Sequence, residues 1–340
     1  MGKVFSPEEV DSGAVPEIGA HYLAADHILE MVWGGQRMLP GIPTLESPDF
    51  PQRPEHGIES LLVYGSTALG TANRRSDLDV AIVYDTFARQ PLTFCKGIFE
   101  QVSREYRIPI ETSAHPIGAL GNGLRHTIDF SFASHLHKMD AESSWRFGKP
   151  VWPNWERQSS DTTIDRLLPA TVAYVANKRK SFAGAVLEDN RKPDYKRLQR
   201  AFEIPAAIGR KIVMLYYSSG QEEVDPTNKG QAAGFVLAKM TEIADNSRRI
   251  EPDTIGKFSA LCDKNDYYTQ LLEQTVAGQT SLSEYKEWLQ ENYLAAYDSA
   301  HDTCLFWEQV LAEALTLRRT SDDSDISFGD QLLSATFNYY

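Results

Sequence analysis

The chain of 340 residues has few cysteines and no long apolar run. Its three cysteines, Cys95, Cys262 and Cys304, lie far apart without a C-x-x-C pair, which is typical of reduced thiols in a cytosolic protein. No uninterrupted apolar stretch approaches the roughly 18 residues that a membrane-spanning helix needs. The first thirty residues also do not show the basic start and apolar segment that are typical of a signal peptide. The sequence therefore predicts a cytoplasmic protein that does not bind membranes.

Positive charge is also scarce. Lysine and arginine number 34 against 47 aspartates and glutamates, which gives a net charge of -13. A protein that wraps duplex nucleic acid nonspecifically normally carries the opposite sign, so any contact with nucleic acid must be local. Hydrophobic residues at 42% and charged residues at 24% are near the averages of globular proteins, which excludes a wholly disordered chain.

The first half of the chain has the pattern of a small unit of strands and helices. Apolar runs at 59–64, 79–84 and 108–114 predict buried strands, and the segments 66–73 and 91–107 between them predict helices. Strands that alternate with helices in this order are typical of a layered α/β unit.

A polar, proline-containing segment separates this unit from a region of long helical patterns. We therefore place the first domain at residues 1–150 and a helical domain at 151–320. The last part, 321–340, begins with an aspartate-rich run of few apolar residues and is expected to be a flexible acidic tail.

Four residues in the segment VYGSTALGTANRRSDLDVAIVYD, residues 63–85, carry chemistry: Gly65, Ser66, Asp77 and Asp79. Because Gly65 has no side chain, phosphate oxygens can approach its backbone, and Ser66 can donate from its hydroxyl and its N–H near a helix N-terminus. Asp77 and Asp79 are two residues apart at the start of the next predicted strand, so alternation directs both carboxylates to one face. Such hard oxygen ligands suit Mg²⁺ or Mn²⁺. The segment predicts a triphosphate site beside a metal site.

This ordered combination closely resembles the signature of the DNA polymerase β nucleotidyltransferase superfamily. The matching residues are Gly65, Ser66, Gly70, Ser76, Asp77 and Asp79. The resemblance covers roughly residues 59–115 and implies an α+β protein, with a mixed sheet flanked by helices in the first domain and a mostly helical second domain. It also implies transfer of a nucleoside monophosphate from a nucleoside triphosphate (NTP) such as ATP to an acceptor hydroxyl, with release of pyrophosphate, and it assigns Ser76 to nucleotide binding.

The resemblance implies a third carboxylate on a neighbouring strand. Glu111 lies in the predicted strand IPIETSA, which directly follows a predicted helix. A strand in that position is expected to lie beside the strand that carries Asp77 and Asp79. Asp129, in HTIDFSF, is the alternative, and we favour Glu111. Asp77, Asp79 and the third acid are expected to bind two divalent ions together. The third acid is also expected to accept the proton of the acceptor hydroxyl.

Two other functions fit parts of the same pattern. An Asp-x-Asp also occurs in metal-dependent glycosyltransferases that bind nucleotide sugars. A catalytically degenerate nucleotidyltransferase fold could act as a nucleotide sensor or as a module that binds a partner. The intact Gly65, Ser66, Asp77 and Asp79 argue against a degenerate module, and the Gly-Ser pair ahead of the Asp-x-Asp favours nucleotidyl transfer over glycosyl transfer.

A local excess of positive charge lies in the helical region, where residues 178–211 hold ten basic residues against four acidic ones. Members of the superfamily commonly close the NTP between the catalytic domain and a helical domain that supplies cations. On that resemblance we expect Lys196, Arg197 and Arg200 to bind the triphosphate. The acidic net charge favours a cationic small molecule as acceptor, whereas the basic segment favours an RNA end, and a protein hydroxyl is a third choice.

Overall fold

The computed structural model describes residues 2–33, 58–84, 89–116, 145–148, 164–187, 192–218, 228–246, 252–320 and 328. Its contacts divide the chain into two compact units. One unit comprises Gly2 and residues 12–161, and the other comprises residues 3–11 and the chain from residue 162 onward. The helices in chain order are α1 Pro7–Asp11, α2 Ala20–Trp33, α3 Gly65–Ala68, α4 Arg89–Tyr106, α5 Ile164–Leu187, α6 Tyr195–Ser218, α7 Lys229–Asn246, α8 Pro252–Val276 and α9 Leu282–Thr320.

Within the described residues, the first unit contains a mixed sheet of four strands. These are β1 Ile58–Tyr64, β2 Leu78–Tyr84, β3 Ile110–Pro116 and β4 Trp145–Gly148, in the spatial order β3-β2-β1-β4. Strand β1 pairs antiparallel with both β2 and β4, whereas β2 pairs parallel with β3. The predicted fold class is thereby confirmed. Strand β4 was not predicted, because it has only four residues and lies next to the polar, proline-containing segment that follows the first domain.

One face of this sheet is buried under helices α2 and α4. A parallel pair needs a crossover connection, and α4 supplies it between β2 and β3. Alternate residues of the strands point into the apolar core between sheet and helices, as the period of two requires. The buried members from both layers include Leu61, Val63, Val80, Ile82, Ile28, Leu29, Phe99 and Val102. The opposite face carries the polar residues considered below.

The second unit is built from α5 to α9. Helix α5 packs along α9, and the guanidinium of Arg179 pairs with both carboxylate oxygens of Glu308 across this contact. Helix α9 runs unbroken for 39 residues from a start at which the Ser281 hydroxyl accepts the Glu284 N–H, as in a capping box. Phe328, in the segment expected to be a flexible tail, is buried and packs edge-on against Tyr216 of α6.

Residues 3–11, which include α1, pack with the helices of the second unit although the sequence analysis places them in the first domain. The Phe5 N–H donates to the Tyr268 hydroxyl at 2.9 Å, and the Tyr285 hydroxyl donates to the Phe5 carbonyl at 2.8 Å. The sequence contains no local signal for this association, because Phe5 lies 263 and 280 residues from its two partners.

Two further expectations concern composition. Cys95, Cys262 and Cys304 are free thiols, as expected, and burial raises the pKa of Cys95 to about 12. Within the described parts of the chain, no helix combines the length and the apolar character that a membrane crossing requires.

Candidate active site

Three carboxylates converge at one end of the sheet. Oxygen atoms of Asp77, Asp79 and Glu111 all lie within 4.8 Å of one another. Asp77 and Asp79 are half-buried, whereas Glu111 is exposed. Asp77 lies one residue before β2 rather than on a strand, because β2 begins at Leu78. The two aspartates of the motif nevertheless come together as the sequence spacing predicts.

The pairing of the strands explains why Glu111 joins the pair. In the parallel register of β2 and β3, Asp79 lies directly beside Glu111, and in the antiparallel register of β1 and β2 it lies directly beside Tyr64. Neighbours in register present their side chains on the same face of a sheet. The row Tyr64, Asp79 and Glu111 therefore crosses three adjacent strands on the face opposite the α2–α4 core.

Gly65 begins α3 immediately after β1 and lets the Asp79 carboxylate approach its backbone closely. Its φ is +70°, a left-handed conformation that residues with a side chain rarely adopt. A Cβ built on Gly65 would lie 1.8 Å from Oδ2 of Asp79. A glycine at this position lets a phosphate approach the backbone, and the Asp79 carboxylate itself also needs the space.

Helix α3 is shorter than predicted and ends at Ala68. The Ser66 carbonyl accepts the Thr71 N–H at 2.9 Å, and Gly70 has a φ of +72°, so the backbone leaves the helix here. This places Ser66, the second residue of the Gly-Ser pair, in the tight turn that follows β1.

Ser76 is buried in a second turn, between α3 and β2. Its hydroxyl accepts the Asn73 N–H at 3.0 Å, and its own N–H donates to the Asn73 carbonyl at 2.9 Å. These contacts commit the Ser76 side chain to the turn. The expected contact of Ser76 with nucleotide stays a prediction.

Two residues that the sequence analysis did not single out adjoin the carboxylates. Burial, reinforced by the charge of Asp79, raises the pKa of Tyr64 far above its ordinary value. His21, near the start of α2, places Nε2 at 2.8 Å from the Ser76 carbonyl. Burial lowers the pKa of His21, while this hydrogen bond and the charge of Asp77 act in the opposite direction. The position of Tyr64 just before Gly65 was the available signal; His21 lies 55 residues from its partner and had none.

The expected triphosphate ligands lie on α6, in the second unit. Lys196 and Arg200 are exposed, and the Nε of Arg197 lies 3.9 Å from Oδ2 of Asp194. Asp194 also accepts the Arg197 N–H at 3.1 Å at the start of the helix. Their role in nucleotide binding stays a prediction. Asp129, the alternative third acid, lies outside the described residues.

The cluster has the chemistry of a site for hard divalent cations. Three anionic oxygen donors within 4.8 Å repel one another, and a cation among them would offset that repulsion. Mg²⁺ and Mn²⁺ are commonly bound through a few carboxylates, with substrate phosphates completing the coordination. Asp77, Asp79 and Glu111 therefore fit the metal ions that a nucleotidyltransferase uses.

A nucleotidyltransferase domain occupies this part of the chain, because residues 49–150 match the family model of that description. The matched stretch contains Gly65, Ser66 and the three clustered carboxylates. The resemblance drawn from the residues is thereby confirmed: the domain fits the superfamily that includes DNA polymerase β. No curated protein and no solved structure matches the chain.

Proposed function

We propose that the protein is a metal-dependent nucleotidyltransferase that moves a nucleoside monophosphate from an NTP to an acceptor hydroxyl. The observation that carries this proposal is the convergence of Asp77, Asp79 and Glu111 beside the Gly65-Ser66 turn within a nucleotidyltransferase domain. In a module without catalytic activity, three mutually repelling carboxylates beside the Gly65-Ser66 turn would have no function.

The residues have distinct roles in this reaction. Asp77, Asp79 and Glu111 would hold two divalent ions, which when bound stabilise the charge of the attacking oxygen and of the departing pyrophosphate. Glu111, the most exposed of the three, would accept the proton of the acceptor hydroxyl. The acceptor oxygen forms a bond to the α-phosphorus, the α–β phosphoanhydride bond breaks, and Glu111 passes its proton to solvent.

The Gly-Ser turn binds the triphosphate in this proposal. Gly65 leaves its backbone accessible, and Ser66 can donate from its hydroxyl and its N–H. Lys196, Arg197 and Arg200 would add positive charge from the helical unit, with Lys196 and Arg200 offering exposed ammonium and guanidinium groups.

The acceptor is a small hydroxylated molecule or an RNA end. The net charge of -13 supports a cationic small molecule, because an acidic cleft attracts cations. An RNA end is supported by a local positive patch on α5 and α6, where the ammonium groups of Lys178 and Lys211 lie 5.3 and 5.7 Å from the ring centroid of Tyr174. The two choices predict acceptors of opposite charge, so one experiment separates them.

The experiment supplies α-³²P-labelled NTPs and Mg²⁺ together with total RNA, a panel of cationic hydroxylated compounds, or cell proteins. We expect label in one acceptor fraction, and loss of that label when Asp79→Asn replaces the wild type or when EDTA removes the metal. The matched control is Asp253→Asn, because Asp253 is an exposed aspartate at the start of α8 whose partner is Lys257. The absence of label from every fraction, or equal labelling by wild type and Asp79→Asn, would contradict the proposal.

A further inference from the structure

The two aspartates of the Asp-x-Asp motif are fixed by different means. Asp79 lies within β2 and has a strand partner on each side, Tyr64 on β1 and Glu111 on β3. Asp77 precedes the strand and belongs to no ladder. Its carboxylate nevertheless lies within 4.8 Å of those of the other two acids. Something outside the sheet must therefore hold the backbone at Asp77.

The turn before Asp77 supplies part of this support. Asn73 and Ser76 exchange two hydrogen bonds across the turn, and the Asn73 side chain accepts the Arg75 N–H at 2.9 Å. The Arg74 guanidinium donates to the Pro16 carbonyl at 2.7 Å and so ties the turn to the segment that leads into α2. The internal bonds set the shape of the turn, but they do not orient the peptide that joins Ser76 to Asp77.

His21 contacts that peptide directly. Its Nε2 lies 2.8 Å from the Ser76 carbonyl oxygen, and because a carbonyl can only accept, the imidazole donates. His21 is 1% exposed and Ser76 is 5% exposed, so water cannot readily replace this bond. The Ser76 carbonyl and the Asp77 nitrogen belong to one planar peptide unit. A donor that holds this carbonyl therefore sets the direction in which the chain enters Asp77.

We propose that His21 is a positioning residue of the metal site. By holding the Ser76 carbonyl, it fixes the Asp77 carboxylate next to Asp79 and Glu111. This inference rests on the proposed function, since it assumes that the cluster binds a divalent cation. Helix α2 lies before residue 49, where the family match begins. The metal site of this domain therefore depends on a helix outside the matched stretch.

Two substitutions introduce the same amide group on side chains of different length, so they distinguish the effect of side-chain length from that of polarity. His21→Gln keeps an N–H donor near the position of Nε2, whereas the amide of His21→Asn is one methylene shorter and cannot reach the Ser76 carbonyl. We expect His21→Asn to weaken Mn²⁺ binding, measured by calorimetry in the absence of nucleotide, by about tenfold or more, the usual effect of losing a group that orients a ligand. His21→Gln should stay within about threefold of the wild type.

Leu29→Ala is the matched stability control. Leu29 lies on the same helix, is 1% exposed and packs in the α2–α4 core. It should lower the melting temperature without changing Mn²⁺ affinity. The transfer assay adds a second readout: His21→Asn should raise the Mg²⁺ concentration for half-maximal transfer by about tenfold, and saturating Mg²⁺ should restore most of kcat.

The outcomes separate this inference from the function on which it rests. Mn²⁺ binding equal to wild type in His21→Asn would overturn the positioning role, and so would equal weakening in His21→Asn, His21→Gln and Leu29→Ala, which would indicate general loosening of the fold. If the wild type binds Mn²⁺ no better than Asp77→Asn does, the metal site fails and the proposed function fails with it. If His21→Asn does not fold, His21→Gln decides, and a tenfold loss of Mn²⁺ affinity in that folded variant overturns the role.

Discussion

Replacing Gly65 by alanine adds one methyl group at the most crowded point of the candidate site. The new Cβ would start 1.8 Å from Oδ2 of Asp79, a distance that atoms in contact never adopt. Asp79 is held by strand neighbours on both sides, so its backbone cannot yield easily. The carboxylate must therefore rotate away from the place where it meets Asp77 and Glu111.

Two effects of this substitution can be given magnitudes. To reach a separation of 3.0 Å, the Asp79 carboxylate must move by more than 1 Å. Misplacement of a reacting group by that distance can lower the rate by about 10²-fold. The second effect is backbone strain, because φ at Gly65 is +70°, and a side chain in that conformation costs roughly 1 to 2 kcal/mol of stability.

Gly70→Ala is the control that separates these effects. Its φ of +72° imposes nearly the same strain, but among the described residues its Cβ would meet only the Tyr22 hydroxyl, at 3.8 Å, an ordinary contact distance. We expect both variants to lose roughly 1 to 2 kcal/mol in urea unfolding. Only Gly65→Ala should lose about 10²-fold in transfer of label from the α-labelled NTP, together with Mn²⁺ affinity measured by calorimetry.

Wild-type Mn²⁺ affinity and rate in Gly65→Ala would refute this prediction, because the carboxylate would then tolerate displacement. Equal loss of activity in Gly70→Ala and Gly65→Ala would also refute it, since strain alone would then account for the effect. A third comparison distinguishes metal from phosphate: Ser66→Ala removes one donor to phosphate and should weaken NTP binding while leaving Mn²⁺ binding intact.

The remaining predictions concern charge. Asp79→Asn should abolish transfer and raise the melting temperature of the metal-free protein, because it removes one of three clustered like charges; unchanged transfer would contradict the site. Glu111→Gln should lower transfer by about 10²-fold with NTP binding preserved, whereas Asp129→Asn should resemble the wild type; the reverse pattern would make Asp129 the third acid. Arg200→Ala should raise KM for NTP about tenfold, as expected for a lost charged hydrogen bond; an unchanged KM would remove Arg200 from the binding site.

The parts of the fold that sequence predicts are those with local patterns. The three predicted strands lie within a few residues of β1, β2 and β3, because each is a short apolar run between turn residues or beside a helix. The long helices of the second unit likewise follow their apolar period. The Gly-Ser and Asp-x-Asp spacing, together with the helix before Glu111, was enough to nominate the three residues that the structure brings together.

The parts that sequence does not predict depend on distant contacts. The association of residues 3–11 with the helical unit rests on hydroxyls of Tyr268 and Tyr285, which no local pattern links to Phe5. The start of β2 at Leu78 depends on the hydrogen bond from the Leu78 N–H to the Pro109 carbonyl at 2.9 Å, and Pro109 belongs to the segment before β3. No local sequence pattern indicates this hydrogen bond between distant residues.

Asp79 is held by the sheet, whereas Asp77 is held by contacts outside it, and this difference explains which residues a sequence signature includes. The fixed spacing of the two aspartates reflects the sheet, because Asp79 must stand in register with Glu111 while Asp77 lies just before the strand. In our proposal, part of the support of Asp77 comes from His21, which can lie at any distance along the chain provided that α2 packs on the sheet. A signature confined to the turn therefore identifies the ligands but omits a group that orients one of them. On this proposal, activity in the domain depends on residues before the matched stretch as well as on those within it.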